Sequence, residues 1–145
     1  MKALLQRVTR AAVEVEGVAV GTIGPGLLVF VGIEPQDDET TCARMLKRLR
    51  EYRVFADGEQ RMNLSLQEVN GGLLLVSQFT LAADTRSGRR PSFSTAAPPA
   101  QGERLFSHLV SLARDLHPEV QTGRFGADMQ VSLVNDGPVT FLLSI

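Results

Sequence analysis

The segment Gly24-Pro25-Gly26-Leu27-Leu28-Val29-Phe30-Val31-Gly32-Ile33 reads as a turn followed by a strand that is apolar on both faces. That is the pattern of a central strand covered from two sides. Upstream of it, Val13 and Val15 alternate with Glu14 and Glu16, Gly17 marks a turn, and Val18 and Val20 resume the alternation. Antiparallel strands therefore lead into the central one.

Downstream the period changes. Cys42, Met45, Leu46, Leu49 and Tyr52 fall at three- and four-residue steps, with Asp37, Asp38 and Glu39 before them and Lys47, Arg48, Arg50 and Arg53 at the far end. This charge order suits a helix dipole. The basic cluster reads as a solvated helix end, with an RNA contact as the other reading. After a turn at Ala56-Asp57-Gly58-Glu59 comes an irregular piece, then Gly71-Gly72 and a second buried strand, Leu73-Leu74-Leu75-Val76. Residues 82–97 are small, polar and basic, as in a long functional loop or a lid. Pro98-Pro99 opens a second helix with Leu105, Leu109, Leu112 and Leu116 in one stripe, and His117-Pro118 closes it. Met129, Val131 and Leu133 return to a strand pattern that breaks at Asn135-Asp136-Gly137-Pro138 and ends over Val139 to Ile145. The expectation is one α+β domain over 1–145, a largely antiparallel, barrel-like sheet with two main helices.

Bulk properties bound the function. With 145 residues, 43% of them hydrophobic, the chain supports one core. A net charge of −1 argues against clamping long nucleic acid by charge alone, so no DNA partner is expected. The N-terminal residues show strand alternation and no apolar run nears a membrane span, so a cytoplasmic protein without a membrane partner is expected. Cys42 is the single cysteine and reads as a buried thiol. Neither His108 nor His117 has a further ligand at metal spacing, so no metal or cofactor is expected.

Two segments put small polar groups where buried strand is due. The first is Ser77-Gln78-Phe79-Thr80-Leu81, which closes the second apolar run. A strand turning into a loop there would aim backbone N–H groups at one spot, and ester hydrolysis needs such donors for a developing oxyanion. Local capping by Ser and Thr is the plainer reading. Thr80 as a nucleophile would need a base, and no histidine is near in sequence. The second segment, Asn135-Asp136-Gly137-Pro138-Val139-Thr140, has a hairpin signal that Pro138 contradicts, because proline donates nothing to a ladder.

These segments, in order with Arg7-Val8, Ala12-Val13, Gly24-Pro25-Gly26, Gly88-Arg89-Arg90-Pro91-Ser92-Phe93 and Thr122-Gly123-Arg124-Phe125-Gly126-Ala127, closely resemble the D-aminoacyl-tRNA deacylase family. The resemblance implies a homodimer acting on aminoacylated tRNA, hydrolysing the ester of a D-amino acid or glycine as a proofreading step. It implies that Gly137-Pro138 is cis and reaches into the partner's pocket as a chiral filter, with Arg7 holding it. Ser77, Gln78, Phe79 and Thr80 would form the catalytic segment. Backbone amides would stabilise the oxyanion and the ribose 2′-hydroxyl would assist, which makes Thr80 dispensable as a nucleophile. Phe125 and Met129 are candidate walls for the terminal adenine, with core packing as the alternative, and Arg86, Arg89 and Arg90 are candidates for tRNA phosphates. A non-catalytic RNA-binding homodimer and a general Ser/Thr esterase are the competing readings.

Overall fold

The computed structural model describes residues 1–145. The doubly apolar run after Gly24-Pro25 is strand β3 (Gly26–Gly32), preceded by β1 (Lys2–Val15) and β2 (Val18–Ile23) and followed by helix α1 (Glu39–Glu51). Then come β4 (Arg53–Ala56), β5 (Met62–Ser65), α2 (Leu66–Val69), β6 (Gly72–Ser77), α3 (Pro99–Leu116), β7 (Val120–Thr122) and β8 (Gln130–Ser144). The long strand β1 organises them. Along one edge its first half pairs with β3 and its second half with β2; along the other edge it pairs with β8.

The sheet order β2-β1-β3-β6-β7 bends round until its ends meet: a Cβ on Gly21 of β2 would lie 2.5 Å from the Thr122 carbonyl of β7. Only glycine permits that approach, so the sheet is an almost closed barrel. Pairing is antiparallel around β1, but β3–β6 and β6–β7 are parallel. The parallel pairs are not legible in the sequence, since apolar runs do not carry direction.

The doubly apolar strands feed two cores. Leu27, Val29, Leu73 and Leu75 face α1 and α3, joining Cys42, Met45, Leu46 and Leu49 with Leu105, Leu109 and Ala113. Leu28, Leu74 and Val76 face the barrel interior with Val8, Val13 and Ile23. Each such side chain contributes about 1.5–3 kcal/mol on burial, so the alternation inside two short strands ties both layers together. Cys42 is fully buried and the same burial, with the nearby Asp37, Glu39 and Asp38 carboxylates, pushes its thiol up to about 11.

Several boundaries differ from the expectation. Of the acidic residues before the helix, Asp38 caps α1, exchanging bonds with Thr41, while Asp37 is buried against the Met1 ammonium at 2.7 Å. The ammonium also meets Glu34, which fastens β1 to the end of β3. Leu116 is exposed and Leu112 half-buried; the face of α3 that packs instead includes Gly102, Phe106 and Val110. The irregular piece contains the β4–β5 hairpin and α2, whose Ser65 and Glu68 form a reciprocal cap. The sequence Ser65-Leu66-Gln67-Glu68 is a capping box that could have revealed it. No helix is long and apolar enough to cross a membrane.

Candidate active site

Parallel strands β3 and β6 end side by side, and the segments leaving their ends, with the stretch from Phe125 to Val131 that leads into β8, border a cavity of about 730 Å³. Phe30, Val76 and Val131 bound it at the barrel mouth, and Pro98 and Pro99 bound it at the start of α3. At Gln78 the backbone leaves the strand (φ −145°, ψ 78°), and Phe79–Ala82 form a single 3-10 turn. Ser77, Gln78 and Phe79 line the cavity together with Phe125 and Met129, so five of the sequence candidates share one wall system.

The backbone here decides what the cavity can do. The Gln78 N–H donates to the Val31 carbonyl at 2.8 Å, and the Gln78 carbonyl accepts from Leu81 at 3.2 Å. The N–H groups of Phe79 and Thr80 open the turn, and the first donors of a helical turn have no carbonyl one turn earlier. The donor set anticipated over Gln78 to Thr80 therefore contracts to two. Thr80 is exposed beside the cavity without lining it, and its hydroxyl accepts a hydrogen bond from Gln78 Nε2. Neither histidine lines the cavity: His117 is buried with Nε2 2.7 Å from the Gly71 carbonyl, and His108 sits on α3 near Glu39.

Phe79 and Phe93 are both exposed and pack on each other at the rim, with ring centroids 5.0 Å apart. Phe93 closes the Gly88–Phe93 motif, but the sequence assigns it no role; it stands out as an aromatic residue among small and polar neighbours. Phe125 rests on Phe106, and the Met129 sulfur accepts the Arg124 N–H at 3.4 Å, so both candidates also pack against the protein.

The second segment lies elsewhere. Gln6 pairs with Thr140 and Val8 with Asn135, so Asp136, Gly137, Pro138 and Val139 stand opposite Arg7 alone. The strand does not break there, as the sequence suggested; it bulges and resumes. Arg7 holds the bulge from below: Nε donates to the Asp136 carbonyl at 2.8 Å and Nη1 to the Val54 carbonyl at 2.6 Å. Asn135 closes its neck, accepting from the Val139 N–H at 2.6 Å and donating to the Val139 carbonyl and the Thr140 hydroxyl. Sequence reasoning missed that role. Gly137-Pro138 is cis, exposed, and not part of the cavity of its own chain.

The family model described as D-Tyr-tRNA(Tyr) deacylase matches residues 4–144. The chain belongs to the D-aminoacyl-tRNA deacylase family. It is 71% identical to the D-aminoacyl-tRNA deacylase of Azotobacter vinelandii over 99% of both chains, and 68% identical to that of Ectopseudomonas mendocina over the whole of both. Among solved structures it resembles the c-Myc DNA Unwinding Element Binding Protein, with a TM-score of 0.96 at 36% identity, covering 100% of this chain and 99% of that one. A probable eukaryotic D-amino acid tRNA deacylase shares the fold, with a TM-score of 0.79 at 20% identity over 99% and 98% of the two chains.

As a deacylase the chain is a hydrolase, and its basic loop can be placed beside the site. Asp84 and Ser92 exchange backbone hydrogen bonds at 2.8 and 3.1 Å, which brings Arg86, Arg89 and Arg90 into one exposed excursion next to the cavity. The three are not equivalent. Asp84 grips Arg86 through Nε at 2.9 Å and Nη2 at 2.7 Å, and this pairing holds the Asp84 carboxyl far below the usual carboxylate range. Arg89 and Arg90 make no ion pair and are the freer charges of this deacylase loop.

Proposed function

We propose that the chain hydrolyses the ester joining a D-amino acid, or glycine, to the terminal ribose of tRNA, as a cytoplasmic homodimer that needs no cofactor. The observation that carries this is a cavity lined by no histidine and bordered at a strand end by a turn whose Phe79 and Thr80 N–H groups have no backbone acceptor. Such a site can stabilise an oxyanion but offers no side-chain base. An aminoacyl ester is already reactive, so orienting it and neutralising the charge on its carbonyl oxygen supplies much of the acceleration. The ribose 2′-hydroxyl beside the ester supplies the assistance the protein lacks. Thr80, whose hydroxyl is engaged by Gln78, supports the turn.

In this reading Phe125 and Met129 hold the terminal adenine, and the bulge at Gly137-Pro138 enters the cavity of a second copy. Its exposure, and its absence from the lining of its own chain's cavity, support a role in trans. Arg7 and Asn135 fix its main-chain carbonyls, which receive the substrate amino group and leave no room for an L side chain. Selectivity then comes from a clash against the wrong enantiomer, which lets D side chains of many kinds point outward. Glycine, with no side chain, passes.

One tRNA charged in turn with the D, L and glycyl forms of an amino acid tests the proposal. D and glycyl esters should be cleaved and the L ester retained; equal release of both enantiomers would refute the filter. A non-catalytic RNA-binding dimer would instead bind uncharged tRNA as tightly as charged tRNA without ester loss.

A further inference from the structure

Beyond the cavity lies a second, polar groove of about 490 Å³, separated from it by Phe125, which lines both. Ser107, Ser111 and Arg114 fall at steps of four and three residues on α3 and so share one face of the helix. Arg124, next to Phe125 in the chain, lines the same groove from outside α3. Neither Arg114 nor Arg124 forms an ion pair, in contrast to Arg86 and Arg104, which Asp84 and Glu39 engage. One carboxylate, Asp115, reaches the same groove, leaving it with a surplus of one positive charge. Two guanidinium groups without an ion-pair partner and two serine hydroxyls lining one groove supply donors that suit the oxygens of a phosphodiester.

We infer that this groove holds backbone phosphates of the tRNA 3′ strand upstream of the terminal nucleoside. The inference rests on the reading of the cavity as the site of the terminal adenosine. A strand whose last base lies against one side of Phe125 continues past that ring and meets the groove on its other side. Phosphate contacts are then shared between two surfaces: the Arg89-Arg90 loop at the rim and the Arg114–Arg124 groove behind the partition.

A paired substrate assay tests this. Initial rates are measured on D-tyrosyl-tRNA and on 3′-O-(D-tyrosyl)adenosine, which has no upstream phosphate, for the native chain, Arg114→Ala/Arg124→Ala, the double Lys variant and Asp115→Asn. The double Ala variant should raise KM for the tRNA by roughly 10-fold or more and flatten the salt dependence of kcat/KM by roughly 1.4–2 units of log–log slope, the share of two phosphate contacts. It should change the adenosine ester less than twofold. The Lys variant should recover most of the tRNA affinity, and Asp115→Asn should strengthen it. An unchanged KM and salt slope would overturn the proposal, as would an equal loss on both substrates, which would mean that Phe125 had shifted. Should the native chain cleave neither ester, the reading of the cavity falls. The groove is then judged from the salt slope of uncharged tRNA binding to the same variants.

Discussion

The turn at Ser77–Ala82 and the bulge at Asp136–Val139 both interrupt β-strands, yet they are held in opposite ways. The turn is fixed mainly by main-chain bonds, from Gln78 to Val31 and from Leu81 to Gln78, and it leaves two donors open beside a cavity. The bulge is fixed by side chains, Arg7 from β1 and Asn135 from its own neck, and it projects into solvent. One region borders a cavity; the other takes no part in the cavity of its own chain. The difference says where each should be fragile: the turn to loss of an N–H group, the bulge to loss of a side chain or of backbone room.

Removing one donor from the turn is the largest expected effect. Phe79→Pro deletes an N–H at the first position of a helical turn, where proline's fixed φ is tolerated. A fall in kcat of about 10²–10³, the size typical of losing one oxyanion donor, is expected. Phe79→Ala keeps the N–H and serves as the control for the lost ring. Equal activities of the Pro and Ala variants would show that this amide takes no part in the chemistry.

The bulge should respond next. Gly137 has φ +147°, and a Cβ there would sit 2.7 Å from Val139 Cγ2 and 2.9 Å from the Val139 N–H nitrogen. Gly137→Ala must therefore displace main chain, at a cost of order 1–3 kcal/mol. A loss of D-ester turnover of roughly 10- to 100-fold is expected, together with a lower unfolding midpoint. Asn135→Ala removes the bonds at the neck without a clash and should lose less turnover while weakening D-over-L selectivity. Selectivity that survives both changes would separate the bulge from substrate choice.

The same contrast explains how much the sequence reveals. Both apolar runs, 27–33 and 73–76, are readable because burial on two faces leaves no polar alternation, and the helix from Cys42 to Leu49 is readable from its period. The parallel pairing of β3 with β6 is hidden, as is the barrel closure at Gly21, because partner choice depends on contacts distant in the chain. In the site, the polar residues at a strand end mark the turn, but the use of the Gln78 N–H by Val31 can be known only once β3 lies beside β6. Asn135 looks like hairpin chemistry because its bonds to Val139 and Thr140 span only four or five residues, and a hairpin would also place it at a turn. Arg7 is separated from Asp136 by nearly the whole chain, so nothing local in the sequence could pair them.

The smallest effect is expected at Thr80, and it is the sharpest test of the division between main chain and side chain. Its hydroxyl is exposed, is not part of the cavity wall, and accepts from Gln78 Nε2, with neither histidine lining the cavity to serve as a base. Thr80→Ala keeps the N–H that opens the turn and removes only a hydrogen bond of about 0.5–1.5 kcal/mol. Turnover of D-aminoacyl-tRNA should therefore fall by less than about 10-fold, the loss corresponding to one such bond. A substrate bearing 2′-deoxyadenosine at its end should lose far more. If instead Thr80→Ala abolished turnover while fold and tRNA affinity stayed intact, the hydroxyl would be the nucleophile. The open amides would then be assisting a covalent step rather than carrying the reaction with the substrate's own hydroxyl.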